Sequence, residues 1–197
     1  MEKFTVHRGT AMPLQRSDVD TDQIIPVRFL NHSERIGHAD ALFADWRADP
    51  DFVLNKPEYQ GASVLIAGND FGTGSSREYA VWALLNYGFR AVVAPRFGDI
   101  FHGNALMNGL LPVTLPEEII ETLWELVIAE PARQVTIDLV ESTLHCAGFT
   151  ASFHVEEGSR LRLLSGRDLI ADTLQYQDAI ASYERVRRPA MPTTTFL

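Results

Sequence analysis

Two apolar stretches separated by a glycine turn and a helical stretch constrain the fold of this 197-residue chain more than any other feature. Residues 61–67 (GASVLIA) and 89–95 (FRAVVAP) are mostly apolar, which is typical of strands buried on both faces of a parallel sheet. Between them, residues 76–87 have helical periodicity and end at Gly88, a common helix stop. Residues 61–95 are therefore predicted to form a β-turn-α-β unit.

The segments that follow extend this pattern. Residues 97–109 predict a helix, residues 110–115 a short strand, and Pro116 the start of another helix with acidic residues in its first turn. Alternating apolar and polar residues over 135–155 indicate antiparallel hairpin strands, with turn residues at 147–148. Helices are predicted from there toward the C-terminus.

The N-terminal part has less regular patterns. Residues 4–14 predict one strand or two, broken at Gly9 and Pro13. Residues 27–52 show no steady period, which indicates a loop followed by short helical turns.

Charge, cysteine count and apolar content argue against several classes of protein. A formal net charge of −9 argues against a nucleic-acid or anionic-membrane partner, because phosphate groups select Lys and Arg patches. The only cysteine, Cys146, excludes an intrachain disulfide, and no apolar segment resembles a signal peptide or a transmembrane helix. We expect a soluble cytoplasmic protein with one layered α/β domain over residues 1–184 and a flexible tail over 185–197.

The stretch GNDFGTGSSREYA, residues 68–80, contains several candidate functional residues. A phosphate loop of the Walker type needs a lysine that is absent here, and a dinucleotide fingerprint needs a glycine where Arg77 stands. Gly72 and Gly74 allow close approach of a ligand, a helix start favours an anion, and an arginine fork matches a carboxylate. An anion-binding turn is one interpretation.

Helix capping is the other interpretation of the same residues. Ser75 and Glu78 have the spacing of a capping box, in which each side chain bonds the other residue's backbone N–H. Capping does not require three glycines, a second serine and an arginine together. Ser75 is therefore also a candidate base, and both interpretations stay open at this point.

Three ordered motifs carry a family resemblance: DVDTDQIIP (18–26), GTGSSREYA (72–80) and FGDIFHGNALMNGLLPV (97–113). They are similar to the swivelling small domain of the aconitase family, and within it to the small subunits of isopropylmalate isomerases. GHADALFADWR (37–47) and TLQYQDAIASYE (173–184) extend the likeness over almost the whole chain. The resemblance implies a layered β/β/α swivelling domain, with a mixed sheet and flanking helices.

The resemblance also implies roles for individual residues. Ser75 matches the family's base, which removes a proton from the carbon next to a carboxylate, while Ser76 and Arg77 match residues that hold a substrate carboxylate and help to keep that serine ionised, so that Ser75 and Arg77 are the expected catalytic residues. Asp22 matches an active-site acid with an orienting role. For Asp20 and Asp22 turn capping is the alternative. His102 and Asn104 lie in a motif that reads FGDIF where the family has a different segment, and because of this departure we expect them to belong to a packed helix.

Cofactor and partner follow from the cysteine count together with the resemblance. A [4Fe–4S] cluster with one open iron needs three cysteine thiolates, and this chain has one cysteine and no HxH or HxxxH histidine pair. The resemblance implies that the large subunit of the isomerase supplies the cluster and that this chain binds no metal. The expected activity is a hydro-lyase that converts 2-isopropylmalate to 3-isopropylmalate in leucine biosynthesis.

The loop over residues 27–38 is expected to select the substrate. Phe29 and Leu30 offer apolar contact to an isopropyl group, although Arg28 and Arg35 are close by and both apolar residues could simply cover the core. The alternatives are a related small subunit that acts on citramalate, methylmalate or homoaconitate, a stand-alone anion-binding module, and a non-catalytic regulatory subunit.

Overall fold

A computed structural model describes residues 1–30, 34–75 and 77–187. The strands, numbered in chain order, are β1 (Val6–Leu14), β2 (Val64–Ala67), β3 (Ala91–Ala94), β4 (Leu111–Thr114), β5 (Gln134–Asp138), β6 (Thr143–Cys146) and β7 (Phe149–Ser152). The α-helices are α1 (Thr21–Ile24), α2 (Glu78–Tyr87), α3 (Asp99–Asn108), α4 (Glu117–Ala129), α5 (Glu157–Ser165), α6 (Leu169–Leu174) and α7 (Gln177–Val186). Short 3-10 turns occupy Val27–Phe29, Ala39–Ala41, Trp46–Ala48, Val53–Asn55 and Pro57–Tyr59. The strands form one sheet in the order β4-β3-β2-β1-β5-β6-β7.

Strands β1 to β4 form the parallel half of the sheet. Every residue of β2 and β3 is buried, as the two apolar stretches predicted. Helix α2 connects them, so the predicted β-turn-α-β unit is confirmed, although the helix begins two residues later than the periodicity indicated. Gly88 ends the helix with a φ of 120°, and its N–H donates to the carbonyl oxygens of Leu84 and Leu85.

Strand β1 is continuous, so a break at Gly9 or Pro13 is wrong. The strand joins the two halves of the sheet, because Val6–Thr10 pairs antiparallel with β5 and the following residues pair parallel with β2. The carbonyl of Thr10 accepts the N–H of Ser63 on the β2 side. Since backbone groups alternate along a strand, Pro13 faces the other side, beyond the end of the β5 pairing, where no donor is needed. At Gly9 a Cβ would lie 1.9 Å from Ser63 Oγ, so glycine permits a close contact within the strand.

Strands β5, β6 and β7 form the antiparallel half. Burial alternates along β5 and β6, which places one face on the core and leaves the other in solvent. Ala147 and Gly148 join β6 to β7 and have φ values of 53° and 80°. Two consecutive left-handed residues suit a tight hairpin, and the predicted hairpin turn is confirmed.

Helices flank this sheet. Helix α4 packs against β1, β2 and β3, and the indole N–H of Trp124 donates to the carbonyl of Ile66 at 2.9 Å. Helix α2 packs against α3 and against the turn Ala39–Ala41. A mixed sheet with flanking helices, the predicted fold class, is confirmed, and the predicted short helical turns in the N-terminal loop region are present.

The C-terminal part consists of α5, α6 and α7. Helix α7 ends at Val186, two residues into the predicted tail, and residues 188–197 lie outside the described residues, so the tail stays a prediction. Within residues 1–30, 34–75 and 77–187, no helix has the length and apolarity needed to cross a membrane.

Candidate active site

The glycine-serine loop, described over residues 68–75 and 77, leaves the carboxyl end of β2 and lies between two other loops. On one side, Asp20 forms a parallel bridge with Thr73, in the segment that follows β1. On the other side, Phe71 bridges Phe97, in the segment that follows β3. The loop is therefore held at the carboxyl ends of three neighbouring parallel strands, where α/β proteins commonly place their ligands.

Gly72 in this loop and Gly98 in the neighbouring loop permit close packing. Gly72 has a φ of +78°, and a Cβ there would lie 2.3 Å from the ring of Phe101. A Cβ at Gly98 in the neighbouring loop would lie 2.5 Å from the carbonyl oxygen of Gly72. A close approach to the backbone was expected at Gly72, and the phenyl ring of Phe101 on α3 makes one.

Ser75 is exposed and does not cap α2. The N-cap residue of the helix is Arg77, which makes no side-chain capping hydrogen bond. The carboxylate of Glu78 accepts instead from the side-chain amide of Asn108 at 2.7 Å. The capping-box interpretation of Ser75 and Glu78 is therefore wrong, because a tertiary partner on α3 takes the carboxylate that the local pattern assigned to the helix start.

Arg77 forms an ion pair with Asp22, a residue 55 positions earlier in the chain. The Arg77 side chain is 21% exposed and that of Asp22 is 52% exposed, so the pair lies at the protein surface. One guanidinium nitrogen contacts the carboxylate, and the remaining N–H groups of the fork can bind another acceptor. The structure thus brings together two of the predicted site residues, Asp22 and Arg77.

Capping explains Asp20 but not Asp22. The Asp20 carboxylate accepts from the N–H of Gln23 at 2.8 Å, and the Gln23 side chain accepts from the N–H of Asp20 at 2.9 Å. This reciprocal pair is a capping box at the start of α1. Helix α1 then presents Asp22 to Arg77.

Phe29 and Leu30 follow α1 and are partly buried against the core. The guanidinium carbon of Arg28 lies 4.7 Å from the centroid of the Phe29 ring, and Arg28 is paired with Asp45. Both apolar side chains therefore have a packing role and also leave part of their surface available. Ser76, the remaining predicted site residue, lies outside the described residues.

His38 and Asn86 fasten the far end of the 27–38 loop to α2. The N–H of His38 donates to the Asn86 side chain at 3.0 Å, which in turn donates to the carbonyl of Arg35 at 3.0 Å. The His38 side chain is buried, with its ring 5.3 Å from that of Tyr79. No local pattern in the sequence indicates this attachment, because Asn86 lies 48 positions after His38 and 51 positions after Arg35.

Asp70 and Arg96 tie the glycine-serine loop to the segment after β3. The guanidinium contacts both carboxylate oxygens of Asp70, and this hydrogen bonding lowers the pKa of Asp70 below its ordinary value. Arg96 also lines a concavity of about 440 Å³ with His102 and Asp99. The His102 ring is half-buried there, which lowers its pKa, and it packs 6.0 Å from the ring of Phe97.

Helix α3 begins at Asp99, within the FGDIF segment, and contains His102 and Asn104, as expected. Cys146 is buried in β6, and burial raises the pKa of its thiol, which disfavours the thiolate that metals bind. Across the described part of the chain, no group of three or more His, Cys, Asp or Glu side chains is arranged to hold a metal ion.

Known proteins are similar to this chain over nearly its full length. Residues 1–118 match the model of the aconitase C-terminal domain family. The chain is 57% identical to the 3-isopropylmalate dehydratase small subunit of Thermobifida fusca over 98% of this chain and 100% of that one. It is 56% identical to the protein of the same name from Acidothermus cellulolyticus, over 99% and 98% of the two chains.

A solved structure agrees with these relatives. The crystal structure of 3-isopropylmalate dehydratase from Methanocaldococcus jannaschii superimposes with a TM-score of 0.66 and 29% identity. The superposition covers 91% of this chain and 99% of that one. The resemblance inferred from the three motifs is confirmed: the chain belongs to the family of 3-isopropylmalate dehydratase small subunits, which have the aconitase C-terminal domain.

Proposed function

We propose that this chain is the small subunit of a two-chain hydro-lyase that converts 2-isopropylmalate to 3-isopropylmalate by dehydration and rehydration. The reaction belongs to leucine biosynthesis, and we place it in the cytoplasm. The observation that carries this proposal is the 57% identity, over nearly the full length of both chains, to a relative named for that activity. The partner that the proposal requires is the large subunit of the same enzyme.

Ser75 is the proposed base. In the proposed step, the deprotonated Ser75 Oγ accepts the proton from the carbon next to a substrate carboxylate. The electron pair of that C–H bond forms the double bond of the dehydrated intermediate as the C–O bond on the neighbouring carbon breaks, and the hydroxide would leave toward the large subunit, whose cluster would supply Lewis-acid chemistry. Rehydration adds hydroxide to the carbon that lost the proton, and Ser75 Oγ returns the proton to the other carbon. Because the cap of α2 is at Arg77 and the Ser75 side chain is exposed, the hydroxyl is not required for the helix. This separation from a structural role supports the assignment.

Arg77 and Ser76 are proposed to bind the substrate carboxylate next to that carbon. Asp22 contacts one nitrogen of the Arg77 guanidinium and so orients the fork. The other N–H groups of the guanidinium stay available for bidentate binding of a carboxylate. A positive group beside Ser75 also favours the deprotonated form of its hydroxyl. We assign Asp22 an orienting role through this pair.

The proposed site has one open side. Ser75 is exposed and the Asp22 side chain is 52% exposed, whereas proton abstraction from carbon benefits from exclusion of water. We propose that the large subunit covers this side. It would also hold the [4Fe–4S] cluster that the family implies, since the residues described here do not fit one: the sole thiol is buried and kept protonated.

Reconstitution tests the proposal. The purified chain alone is expected to show no turnover of 2-isopropylmalate, and addition of the large subunit with its cluster is expected to restore interconversion of the two isomers. The measurement is formation of the dehydrated intermediate and of 3-isopropylmalate, with the large subunit alone as the control. Iron and sulfide bound stoichiometrically to this chain by itself, or turnover without the partner, would contradict the two-chain assignment.

A substrate panel separates the related activities. The reconstituted pair should use 2-isopropylmalate with a higher kcat/KM than citramalate, methylmalate or homoaconitate. A preference for one of those acids would change the assigned substrate but not the assigned reaction class. If the chain alone binds the ligand and the large subunit does not increase that binding, the result would favour a stand-alone anion-binding module.

Phe29 and Leu30 are proposed to contact the isopropyl group. Burial of three apolar carbons contributes about 2.4 kcal/mol, so Phe29→Ala or Leu30→Arg should lower kcat/KM for 2-isopropylmalate by up to about 50-fold. Assembly with the large subunit should be retained. Phe149→Ala is a matched control, because Phe149 is also partly buried against the core but lies on β7. Unchanged kinetics in both loop variants would leave these residues with a packing role alone.

A further inference from the structure

The segment 18–21 runs beside the glycine-serine loop and is bonded to it at four points. Three of the bonds join backbone groups, and the fourth comes from a side chain. The pairs are Asp18 N–H with Asn69 O (2.8 Å), Gly72 N–H with Val19 O (2.7 Å), Thr21 N–H with Thr73 O (2.9 Å), and Thr21 Oγ1–H with Ser75 O (3.1 Å). The side-chain bond is the one that reaches the proposed base.

Thr21 is a buried polar residue, with 1% of its surface exposed. Its backbone N–H holds Thr73 and its hydroxyl holds Ser75, so one residue fixes the loop on both sides of Gly74. Gly74 has a φ of +87° and no side chain to restrict it. The direction of the chain after Gly74 therefore depends on the bonds made by the Ser75 carbonyl, which accepts from Thr21 and from the N–H of Arg77 at 2.8 Å.

We propose that Thr21 is a positioning residue for the reaction: its buried hydroxyl fixes the Ser75 backbone and thereby the direction of Ser75 Oγ. This inference rests on the proposed function. Thr21 contacts no reacting atom, because its hydroxyl is bonded to the carbonyl of Ser75 and not to its side chain. A displacement of about 1 Å at a reacting group can cost about 100-fold in rate, so loss of this bond should reduce turnover and leave carboxylate binding by Arg77 largely intact.

Thr21→Val and Thr21→Ser test the role. Valine keeps the shape and removes the hydroxyl, and in the reconstituted enzyme kcat should fall about 10- to 100-fold with KM changed by less than about twofold. Serine keeps the hydroxyl and should stay within about threefold of the wild-type kcat. Thr122→Val is the matched control, since the Thr122 hydroxyl also donates to a backbone carbonyl, at 2.8 Å, but on α4.

Amide hydrogen exchange provides a readout that does not depend on activity. In Thr21→Val the Arg77 amide, which shares the Ser75 carbonyl, should exchange about 5-fold faster, because that carbonyl has lost its second partner. The Gly72 amide is bonded to Val19 and should be unchanged, which separates a local effect from general unfolding.

The outcomes separate this inference from the function on which it rests. Reduced kcat with preserved KM in Thr21→Val, rescued in Thr21→Ser, together with faster exchange at Arg77, would support the positioning role. A wild-type kcat in Thr21→Val would overturn it, as would equal losses in the valine and serine variants. A wild-type pair without activity on 2-isopropylmalate would overturn the proposed function, and exchange at Arg77 would still decide whether Thr21 fixes the loop.

Discussion

Ser75→Ala is expected to lower kcat of the reconstituted enzyme by about 10²–10⁴-fold, the usual cost of removing a general base. The change deletes the single oxygen that is proposed to accept the proton from carbon. KM should change little, because the carboxylate contacts of Arg77 remain. The measurement is kcat for 2-isopropylmalate with saturating large subunit, beside a thermal melt of each variant.

The same variant should keep its stability. In the structure Ser75 caps nothing: the helix starts after Arg77, and Glu78 is bonded to Asn108. Ser152→Ala, on the exposed side of β7, is the control for loss of a surface hydroxyl. A Ser75→Ala enzyme that retains more than about a tenth of the wild-type kcat would contradict the base assignment. A lowered melting temperature with normal activity per folded molecule would assign the Ser75 hydroxyl a structural role instead.

The parallel half of the fold was predictable because its signals are local. Strands β2 and β3 are short apolar stretches bounded by turns, and a glycine ends each of the helices α2 and α3 in a left-handed conformation. Strand β1 was not predictable in the same way. Gly9 and Pro13 fit within β1 because of the positions of β2 and β5. Both of these neighbouring strands lie more than 50 residues further along the chain.

The residues of the candidate site also differ in whether a local sequence signal predicted them. The glycine-serine stretch indicated Ser75 and Arg77, since its composition exceeds what a helix cap needs. The partner of Arg77 could be placed only through the family resemblance, because Asp22 is 55 residues away in the chain. The hydroxyl of Thr21 had no sequence signal at all, since a threonine between two aspartates is an ordinary turn residue.

The capping box shows how a local rule fails. Ser75 and Glu78 have the right spacing, and Asp20 and Gln23 have it too, but only the second pair forms. Asn108 on α3 donates to Glu78 and also bonds the indole of Trp82, so tertiary packing removes the carboxylate from the helix start. Because the helix cap lies at Arg77, the Ser75 hydroxyl has no capping role, which is consistent with its proposed role as the base.

Arg77→Lys is expected to lower kcat/KM for 2-isopropylmalate by about 10- to 100-fold, with KM raised and kcat reduced together. Lysine keeps the positive charge but replaces the planar fork with a single ammonium group. Loss of one charge-assisted hydrogen bond accounts for about 1.5–3 kcal/mol, which corresponds to this range. In addition, the compact ammonium group of a lysine would pair with Asp22 alone, whereas the guanidinium has N–H groups left for the proposed substrate carboxylate.

Arg8→Lys provides the control for this change, because Arg8 lies on β1 where that strand pairs with β5, and its side chain donates to the Thr136 hydroxyl. Steady-state kinetics on the reconstituted enzyme separate the two site variants: Ser75→Ala should lower kcat alone, whereas Arg77→Lys should change both constants. If Arg77→Lys keeps the wild-type KM and loses only stability, Arg77 serves the Asp22 ion pair and not the substrate. If it keeps both constants, the carboxylate is bound elsewhere, and the fork beside Ser75 has no part in the reaction.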